Sequence, residues 1–449
     1  MKPRGHFGSF PRSSCPVAWC LVALGWILLF AGGSGTVPAQ PVSIADPRLD
    51  AAIREALNEP TAELTVEALQ RLTALDAHRR EITTLEGLGA AHKLAMLDLS
   101  FNQLTDAVVP AGLGRLRALD LQGNPLTSLS LPSDLAGLLS LNLSETHLRD
   151  FGFLGVLTNL QVLKLESDDL PTLPLPPVLS SLTELDLAYN RLTNMSFLDG
   201  LTNLGTLYLD DNNLTNFDLP PALTNLTTLS LSINRLSDFS FLSRLPWLLQ
   251  LDLSANRPGT LTLPSNLTNL FWVNLSENQL TELVLPPGLT NLTDLHLFDN
   301  RLTNAVFLAD LTALTWLDLA MNRFTEVTLP PKLTNLVKVD LRWNPLQTLI
   351  LPEMLATNKL AEDVDALRIQ GVTVYTYPLT PRLEQVQAAS DGTIELTLVG
   401  PPGIYTLLGS ADLKAWSALG HWTNRLGTAV LQRQRSVGPA REFYQAVLP

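Results

Sequence analysis

The chain has 449 residues, of which 30 are basic and 43 are acidic, so that its formal net charge at pH 7 is −13. This balance argues against binding to nucleic acid or to an anionic membrane surface, because both partners require a basic footprint. Hydrophobic residues make up 46% of the chain but aromatic residues only 6%, so leucine must supply most of the buried surface.

The first 39 residues have the features of an export signal. Three basic residues accompany an apolar stretch at 17–30, and residues 37–39 have the small side chains of a cleavage site. The apolar stretch is short compared with the roughly 20 residues of a membrane-spanning helix. We therefore predict that residues 1–39 are a cleaved signal peptide and that the protein is secreted or displayed on the cell envelope. Retention of this segment as an uncleaved anchor is the alternative.

Both cysteines, Cys15 and Cys20, lie within the predicted signal peptide. The mature chain would contain none, so it would have no disulfide framework even though an exported protein can carry one. Catalysis by a cysteine and metal sites built from thiolates are excluded on the same ground.

Residues 40–93 are predicted to form an amino-terminal cap. Asp46 followed by Pro47 is typical of a helix start, and Thr65 indicates the start of a second, shorter helix. Residues 72–82 carry a degenerate copy of the pattern found later in the chain. Such a copy is expected of a terminal repeat, whose outer face has no neighbour.

Twelve positions spaced 22 residues apart organise residues 94–351. Each closes the pattern L-x-x-L-x-L-x-x-N-x-L, and a fixed period with this pattern is the signature of a leucine-rich repeat solenoid. Thr146 and Asp168 occupy two of the positions, and the other ten are Asn. These ten residues, which we call the asparagine ladder, are Asn102, Asn124, Asn190, Asn212, Asn234, Asn256, Asn278, Asn300, Asn322 and Asn344.

Each repeat is predicted to begin with a short strand at L-x-L, whose alternate side chains point into the core and onto the concave face. The return takes an F-L form, as at 197–198, or an L-P form, as at 219–220, where proline argues against a long helix. The ladder asparagine has both a donor and an acceptor, so it can satisfy backbone groups at the turn after each strand. Thr146 is shorter and an ionised Asp168 only accepts, so we expect their turns to be the least regular.

Residues 352–378 are predicted to form a carboxy-terminal cap. In it, residues 354–369 have helical spacing, Gly371 is a stop signal and residues 372–375 are typical of a closing strand. Residues 379–449 alternate in short runs separated by Gly and Pro, which predicts a small all-β, sandwich-like module. The predicted fold class is therefore an α/β solenoid, right-handed, with about 12 regular repeats and two caps, followed by this β module.

The array resembles the secreted, internalin-like leucine-rich repeat proteins of bacteria. Leu-Thr-Asn-Leu at 201–204, 223–226 and 289–292 and the 22-residue period carry this resemblance, which covers residues 46–378. It implies a secreted or cell-surface protein that binds protein ligands. Surface-anchored internalins end in an L-P-x-T-G signal that is missing here, so covalent attachment to a cell wall is not expected. Residues 379–449 are similar to a β module that ends many exported bacterial proteins, which implies no particular activity.

The concave face presents the residues six, four and two positions before each ladder position. Most are small and polar, as expected of a solvated sheet face that needs no ligand. One stretch carries large aromatic residues instead, and on an exposed face these mark interaction sites. This candidate patch consists of Trp272, Asn274, Asp294, His296, Phe298, Trp316 and Asp318. Coverage by the β module or by a neighbouring protomer is the alternative explanation of the aromatic residues.

The sequence contains no G-x-S-x-G motif, no phosphate-binding loop and no EF-hand loop. The histidines outside the signal peptide are His78, His92, His147, His296 and His421. None has metal-ligand spacing with a second histidine or a carboxylate. We interpret His296 with Asp294 and Asp318 as a polar surface cluster, because such arrangements are common without catalysis. The sequence therefore predicts no enzymatic activity, no metal and no cofactor.

The predicted function is recognition of a protein ligand through the concave face. One alternative is glycan binding, in which Trp272 and Trp316 stack on sugar rings while Asp and Asn side chains bind hydroxyl groups. The other is a structural spacer that displays the β module. Nucleic acid is not an expected partner, and no stable membrane span is expected after signal cleavage.

Overall fold

The computed structural model describes residues 40–217, 219–388, 393–434 and 442–448. The predicted signal peptide lies outside these residues. The chain divides into two compact units, Met1–Leu248 and Leu249–Pro449, a division that falls inside the predicted repeat array. The predicted domain boundaries therefore stay predictions. Within the described ranges, no helix combines the length and the apolar character that a membrane span requires.

The first unit opens with two helices, α1 (Pro47–Leu57) and α2 (Val66–Leu69), whose predicted starts at Asp46 and Thr65 are confirmed. One oxygen of the Asp46 carboxylate accepts hydrogen bonds from two N–H groups of the first turn of α1, at 2.8 and 3.3 Å. This bonding satisfies backbone donors that have no partner within the helix. The other oxygen accepts from the N–H of Thr83 at 2.7 Å, which fastens α1 to the degenerate repeat.

The strands of the first unit are short and parallel. They are β1 (Ala74–Asp76), β2 (Met96–Asp98), β3 (Asp106–Val108), β4 (Ala118–Asp120), β5 (Ser128–Ser130), β6 (Ser140–Asn142), β7 (Val162–Lys164), β8 (Glu184–Asp186), β9 (Thr206–Tyr208) and β10 (Thr228–Ser230). Strands β3 and β5 pair with each other, and the other eight pair side by side in chain order. Partners lie 22 residues apart, as in Asp76 opposite Asp98, so the repeat period is confirmed and includes the degenerate copy.

The returning segments contain tight 3-10 helices of three to five residues. These are Leu88–Ala90, Ser133–Gly137, Gly152–Val156, Pro177–Ser181, Ser196–Leu198 and Ser240–Arg244 in the first unit and Val306–Leu308 in the second. The prediction that proline and the short return leave no room for a long helix is thereby confirmed for the returns of the described repeats.

The second unit continues the same pattern of strands. They are β11 (Gln250–Asp252), β12 (Thr260–Thr262), β13 (Trp272–Asn274), β14 (Glu282–Val284), β15 (Asp294–His296), β16 (Trp316–Asp318), β17 (Glu326–Thr328), β18 (Lys338–Asp340), β19 (Thr348–Pro352) and β20 (Thr373–Tyr377). Five of them, β11, β13, β15, β16 and β18, pair side by side in parallel. Together with the eight strands of the first unit that pair in chain order, they make 13 described strands. Smaller parallel sheets form from β12 with β14 and from β17, β19 and β20.

The predicted carboxy-terminal cap contains a π-helical turn, Leu355–Lys359, followed by helix α3, Ala361–Ile369. The helix predicted at 354–369 is thus present but interrupted at Leu360, where φ is −112°. Gly371 follows α3 with φ +89°, a conformation that favours glycine. The predicted closing strand is confirmed as β20, which pairs in parallel with β19.

The chain ends in six antiparallel strands. They are β21 (Arg382–Ala388), β22 (Thr393–Val399), β23 (Gly403–Ser410), β24 (Ser417–Asn424), β25 (Thr428–Gln434) and β26 (Phe443–Val447). Two three-stranded sheets form, in the orders β21-β22-β25 and β24-β23-β26. Their shared core consists of Ile394, Leu396, Leu398, Tyr405, Leu407 and Leu431. This is the arrangement expected of the predicted sandwich-like module, although β21 and β24 are not apparent from the sequence pattern.

The asparagine ladder joins consecutive repeats as its chemistry predicts. In Asn190, the side-chain Nδ2 donates to the carbonyl oxygens of Leu165 (2.8 Å) and Leu187 (3.0 Å). Its Oδ1 accepts from the N–H groups of Asp168 (3.2 Å) and Leu170 (2.9 Å). One buried side chain therefore satisfies both backbone donors and backbone acceptors of two neighbouring turns.

The two turns without a ladder asparagine are irregular, as predicted. After Thr146 and after Asp168, the next residues, His147 (φ 62°) and Asp169 (φ 56°), adopt the left-handed conformation. Glu81, in the degenerate repeat that also lacks the asparagine, does the same (φ 57°). After each asparagine of the ladder, the next residue has no positive φ among the described repeats. The asparagine amide therefore determines the backbone path of the turn.

A second set of asparagine bonds is not foreseen from the sequence. It comes from the Leu-Thr-Asn-Leu segments, whose Asn side chains donate to a backbone carbonyl 23 residues earlier. The pairs are Asn203 with Ser180, Asn225 with Thr202, and Asn335 with Thr312. The motif that carries the family resemblance is thus a structural link between returning segments.

Candidate binding surface

Three adjacent strands of the second unit, β13, β15 and β16, carry the candidate patch except for Phe298, which follows β15, and β11 and β18 flank them. Their middle residues are buried, so the first and third residues of each strand point to the concave face. The register places two rows side by side: Trp272, Asp294 and Trp316 in one, and Asn274, His296 and Asp318 in the other. Because neighbouring strands lie about 4.8 Å apart, the predicted patch residues on these strands are brought together.

Three rings of the patch pack into what we call the Trp–His–Trp cluster, formed by Trp272, His296 and Trp316. The ring centroids of Trp272 and His296 lie 5.4 Å apart, and those of His296 and Trp316 lie 5.0 Å apart in an edge-on arrangement. The ammonium group of Lys338 lies 4.8 Å from the centroid of Trp316, within the range of a cation–π contact. A continuous surface of rings therefore crosses three adjacent strands.

Exposure of the aromatic side chains differs from the expectation drawn from the sequence. Trp316 is 38% exposed, but Trp272 and His296 are each only 7% exposed, and Phe298 is half-buried. The expectation that all of these large side chains are exposed is wrong for Trp272 and His296, because neighbouring rings on the sheet face cover one another. The part of the cluster that a partner can reach is centred on Trp316.

The imidazole of His296 makes no hydrogen bond to any residue that the structure describes, although it is nine-tenths buried. Burial lowers the pKa of His296, and the nearby carboxylate of Asp294 acts in the opposite direction. The ring is therefore neutral near pH 7, and a neutral imidazole has one donor and one acceptor nitrogen. Both remain available to a ligand that reaches the cluster.

Asp318 lies beside His296 on the next strand and is 7% exposed. Its Oδ1 accepts one hydrogen bond, from the N–H of Ala320 at 3.0 Å, and within the described ranges the carboxylate forms no ion pair. Burial, reinforced by the charge of Asp340, raises the pKa of Asp318 to about 6 despite the opposing effects of that hydrogen bond and of nearby cations. This carboxylate is thus charged at neutral pH with one oxygen uncommitted.

The other polar residues of the patch have internal partners. Asn274 donates to the Asp252 carboxylate at 3.1 Å and accepts from the N–H of Ser276 at 3.1 Å. The Asp294 carboxylate accepts from the hydroxyl of Thr293 at 2.6 Å. These bonds hold the side chains in place on the sheet, so their role is to frame the cluster.

A cavity of about 320 Å³ lies next to the patch, between β18 and α3. The charged residues that line it are Lys338, Asp340, Arg342 and Asp363. The guanidinium Nε of Arg342 lies 2.9 and 3.0 Å from the two carboxylate oxygens of Asp340. Burial and the charge of Asp340 raise the pKa of Asp363. The sequence pattern does not predict this cavity, because α3 (Ala361–Ile369) lies outside the 22-residue pattern.

A separate group of possible metal ligands occurs in the first unit. Potential donor atoms of Asp76, His78 and Asp98 all lie within 4.8 Å of one another, and Nδ1 of His78 is 2.5 Å from Asp76 Oδ1. The prediction that no histidine has a carboxylate at metal-ligand spacing is wrong for His78, because the parallel register places Asp98 beside Asp76. One imidazole and two carboxylates could hold a divalent ion with open coordination positions.

Family models for leucine-rich repeats match the sequence in two places. A model of two repeat copies matches residues 180–221, and a single-repeat model matches residues 115–138. The chain carries leucine-rich repeats. No curated protein matches it in sequence.

Solved structures confirm the fold of the repeats. An internalin, InlF, from Listeria monocytogenes is 21% identical over 76% of this chain and 98% of its own, with a TM-score of 0.61. The functional domain of InlJ from the same organism is 19% identical over 81% of this chain and 97% of its own, with a TM-score of 0.58. The predicted leucine-rich repeat solenoid is therefore confirmed as the fold, followed by a small antiparallel β region.

A plant structure is also similar. The leucine-rich repeat ectodomain of the membrane receptor kinase GASSHO1/SCHENGEN3 from Arabidopsis thaliana is 28% identical over 70% of this chain and 40% of its own, with a TM-score of 0.50. That ectodomain is in complex with CASPARIAN STRIP INTEGRITY FACTOR 2.

Proposed function

We propose that this protein binds a protein ligand through the candidate patch on the concave face of its second unit. The observation that carries the proposal is the Trp–His–Trp cluster, which leaves Trp316 accessible beside two nine-tenths-buried polar groups, His296 and Asp318, with uncommitted hydrogen-bonding atoms. Aromatic anchors surrounded by polar groups are typical of the residues that dominate binding energy in protein interfaces.

Two further observations support this proposal. Leucine-rich repeat proteins generally recognise other proteins, and the similar plant ectodomain is in complex with CASPARIAN STRIP INTEGRITY FACTOR 2. The patch is also rigid, because the strands that carry it are held by parallel pairing on both sides of β15 and β16. A rigid surface loses little conformational freedom when it binds.

The experiment is capture of partners from the envelope and the medium of the producing cell by the purified full-length protein, followed by titration of the isolated partner. We expect Trp316→Ala to weaken binding by at least about tenfold, as for a central interface aromatic residue. Trp247→Ala is the matched control, since Trp247 is more exposed than Trp316 and lies outside the patch. Equal affinity of both variants for the partner would exclude the patch as the binding site.

Glycan binding is the second candidate. The accessible indole of Trp316 next to the Asp318 carboxylate is an arrangement that can stack on a sugar ring and accept a hydroxyl hydrogen bond. If envelope polysaccharide binds saturably, and this binding is lost in Trp316→Ala and kept in Trp247→Ala, the ligand is a glycan and not a protein. If the wild-type protein binds neither class of ligand, the result favours the other alternative, a structural spacer that displays the β module.

We also propose that the protein is exported by residues 1–39 and acts outside the cytoplasm. The charge and apolar pattern of this segment and the likeness of the repeats to internalins support this proposal. Amino-terminal sequencing of the protein from the medium and the envelope is expected to give Gln40 as the first residue. A chain that begins at residue 1 and fractionates with membranes would show that the segment is retained as an anchor.

A further inference from the structure

The carboxylate of Asp318 lacks the counter-ion that a buried charge normally has. It is nine-tenths buried, and its one hydrogen bond comes from a neutral backbone N–H. An ionised carboxylate removed from water is unfavourable unless it is paired with a cation and well hydrogen-bonded. Trp316, on the same strand, is 38% exposed, so a cation from a bound ligand can approach this position beside its ring.

The two cations nearest to Asp318 are engaged elsewhere. The guanidinium of Arg342 is bonded to both carboxylate oxygens of Asp340, and the ammonium of Lys338 lies over the ring of Trp316. Both lower the pKa of Asp318 through space, but neither lies within ion-pair distance of it among the contacts of the described residues. The protein thus leaves this carboxylate without a counter-ion of its own.

The side chains around the cluster also carry an excess of negative charge. At the concave positions of β11, β13, β15, β16 and β18, which lie six, four and two residues before the ladder asparagine, there are four carboxylates and two cations, and His296 is neutral. The charged residues are Asp252, Asp294, Asp318 and Asp340 on one side and Lys338 and Arg342 on the other. A ligand that brings one positive charge complements this surface, whereas a neutral ligand leaves the excess negative charge in place.

The groups around Asp318 suit a nitrogen cation. A neutral His296 offers an acceptor nitrogen to an N–H donor, and the tryptophan rings offer electron-rich faces. Lys338 shows that the ring of Trp316 accepts an ammonium group at 4.8 Å. We infer that the Trp–His–Trp cluster and Asp318 bind an arginine or lysine side chain of the protein ligand. This inference rests on the proposed function and specifies the chemistry that the patch recognises.

The test uses full-length protein labelled with ¹⁵N at tryptophan and the probe peptide acetyl-Gly-Arg-Gly-amide, with acetyl-Gly-Gln-Gly-amide as the uncharged control. We expect the arginine peptide to shift the indole N–H signals of Trp272 and Trp316 in a saturable way. Asp318→Asn should weaken this binding by about tenfold or more, the effect of losing a charged hydrogen-bond partner. Asp120→Asn is the matched control, because Asp120 occupies the same strand position in the first unit.

Equal shifts with the glutamine peptide, no saturable shift, or unchanged affinity in Asp318→Asn would each overturn the inference. If Asp318→Asn fails to fold, Trp316→Leu provides the same comparison, since it removes the ring face but keeps an apolar side chain. The proposed function is judged separately by the captured partner. A partner that requires Trp316 but is not displaced by the arginine peptide would leave protein recognition in place and reject a cationic anchor.

Discussion

Asp168 and Asp318 are both buried aspartates with one carboxylate oxygen that is not hydrogen-bonded to the described residues, and burial raises the pKa of each to about 6. They differ in what surrounds the uncommitted oxygen. Asp168 lies at a ladder position, inside a turn that elsewhere encloses an asparagine amide, whereas Asp318 lies on the concave face beside aromatic rings. A buried polar group without a partner therefore indicates a ligand only where its surroundings are open to one.

The turn explains Asp168 without any ligand. Its Oδ1 accepts from the N–H groups of Thr146 at 2.7 Å and His147 at 2.6 Å, as the Oδ1 of Asn190 does in its own turn. Its Oδ2 takes the place of the asparagine Nδ2 but is buried without a partner. Protonation removes the charge of this buried carboxyl, and burial raises its pKa and so favours the protonated form.

The largest expected effect is on stability and distinguishes two rings: we expect Trp272 to stabilise the fold and Trp316 to bind the ligand. Trp272→Ala should lower the free energy of unfolding by roughly 3–5 kcal/mol, the usual cost of removing a buried aromatic side chain. Trp316→Ala should cost clearly less, because its ring is 38% exposed. Urea denaturation of both variants measures the difference. Equal losses would mean that both rings are structural and would weaken Trp316 as a binding residue.

The Asp168 carboxyl should make stability depend on pH. Its folded pKa of about 6 lies above the ordinary value of 3.8, so the folded state binds its proton more tightly than the unfolded state does. The contribution to stability is present below pH 3.8 and is lost as the pH rises through 6. Asp168→Asn, which does not titrate, should gain stability relative to wild type by about 3 kcal/mol between pH 4 and pH 7.

Denaturation at several pH values measures this gain. Asp169→Asn is the control, because that exposed carboxylate pairs with Arg191 at 2.8 Å and an exposed ion pair contributes little. A difference between Asp168→Asn and wild type that does not change with pH would show that Asp168 is ionised in the folded state throughout this range.

Asp318→Asn changes the second buried carboxylate, on the concave face. The direction of the pH effect is the same as for Asp168, because this pKa is also raised above its ordinary value. The gain in stability above pH 6 should be similar in size, because the pKa of Asp318 is likewise raised to about 6. Ligand binding should fall in the same variant, so stability and affinity change in opposite directions. If stability and ligand affinity both fall in Asp318→Asn, measured on one preparation, the role of Asp318 is structural.

The smallest effect concerns the backbone just before each ladder position, where most described repeats have a left-handed residue. Ile233 is β-branched, adopts φ 52° and is half-exposed, a conformation unfavourable for this residue type. Ile233→Asn should stabilise the protein by about 1 kcal/mol, because Asn tolerates the left-handed region. Thermal unfolding beside Ile233→Val, which remains β-branched, tests this. Destabilisation by Asn would show that the isoleucine side chain makes contacts that outweigh its backbone strain.

The amino-acid sequence was enough to predict the repeat, its strands, the bonding role of the ladder and the helix starts at Asp46 and Thr65. Each of these follows from periodicity or from the chemistry of one side chain near its own backbone. It also identified Thr146 and Asp168 as the exceptions, since their side chains cannot replace both functions of an asparagine amide.

The contacts among outward-facing residues depend on side-chain packing in the folded protein and could not be predicted from the pattern. Trp272 and His296 belong to different repeats, and their mutual burial depends on how the rings turn on the sheet. The closeness of His78 to Asp98, the missing counter-ion of Asp318 and the cavity beside α3 likewise depend on contacts between residues 20 or more positions apart. The 22-residue pattern specifies the backbone position of each side chain, but packing against neighbouring side chains specifies its conformation and its contacts.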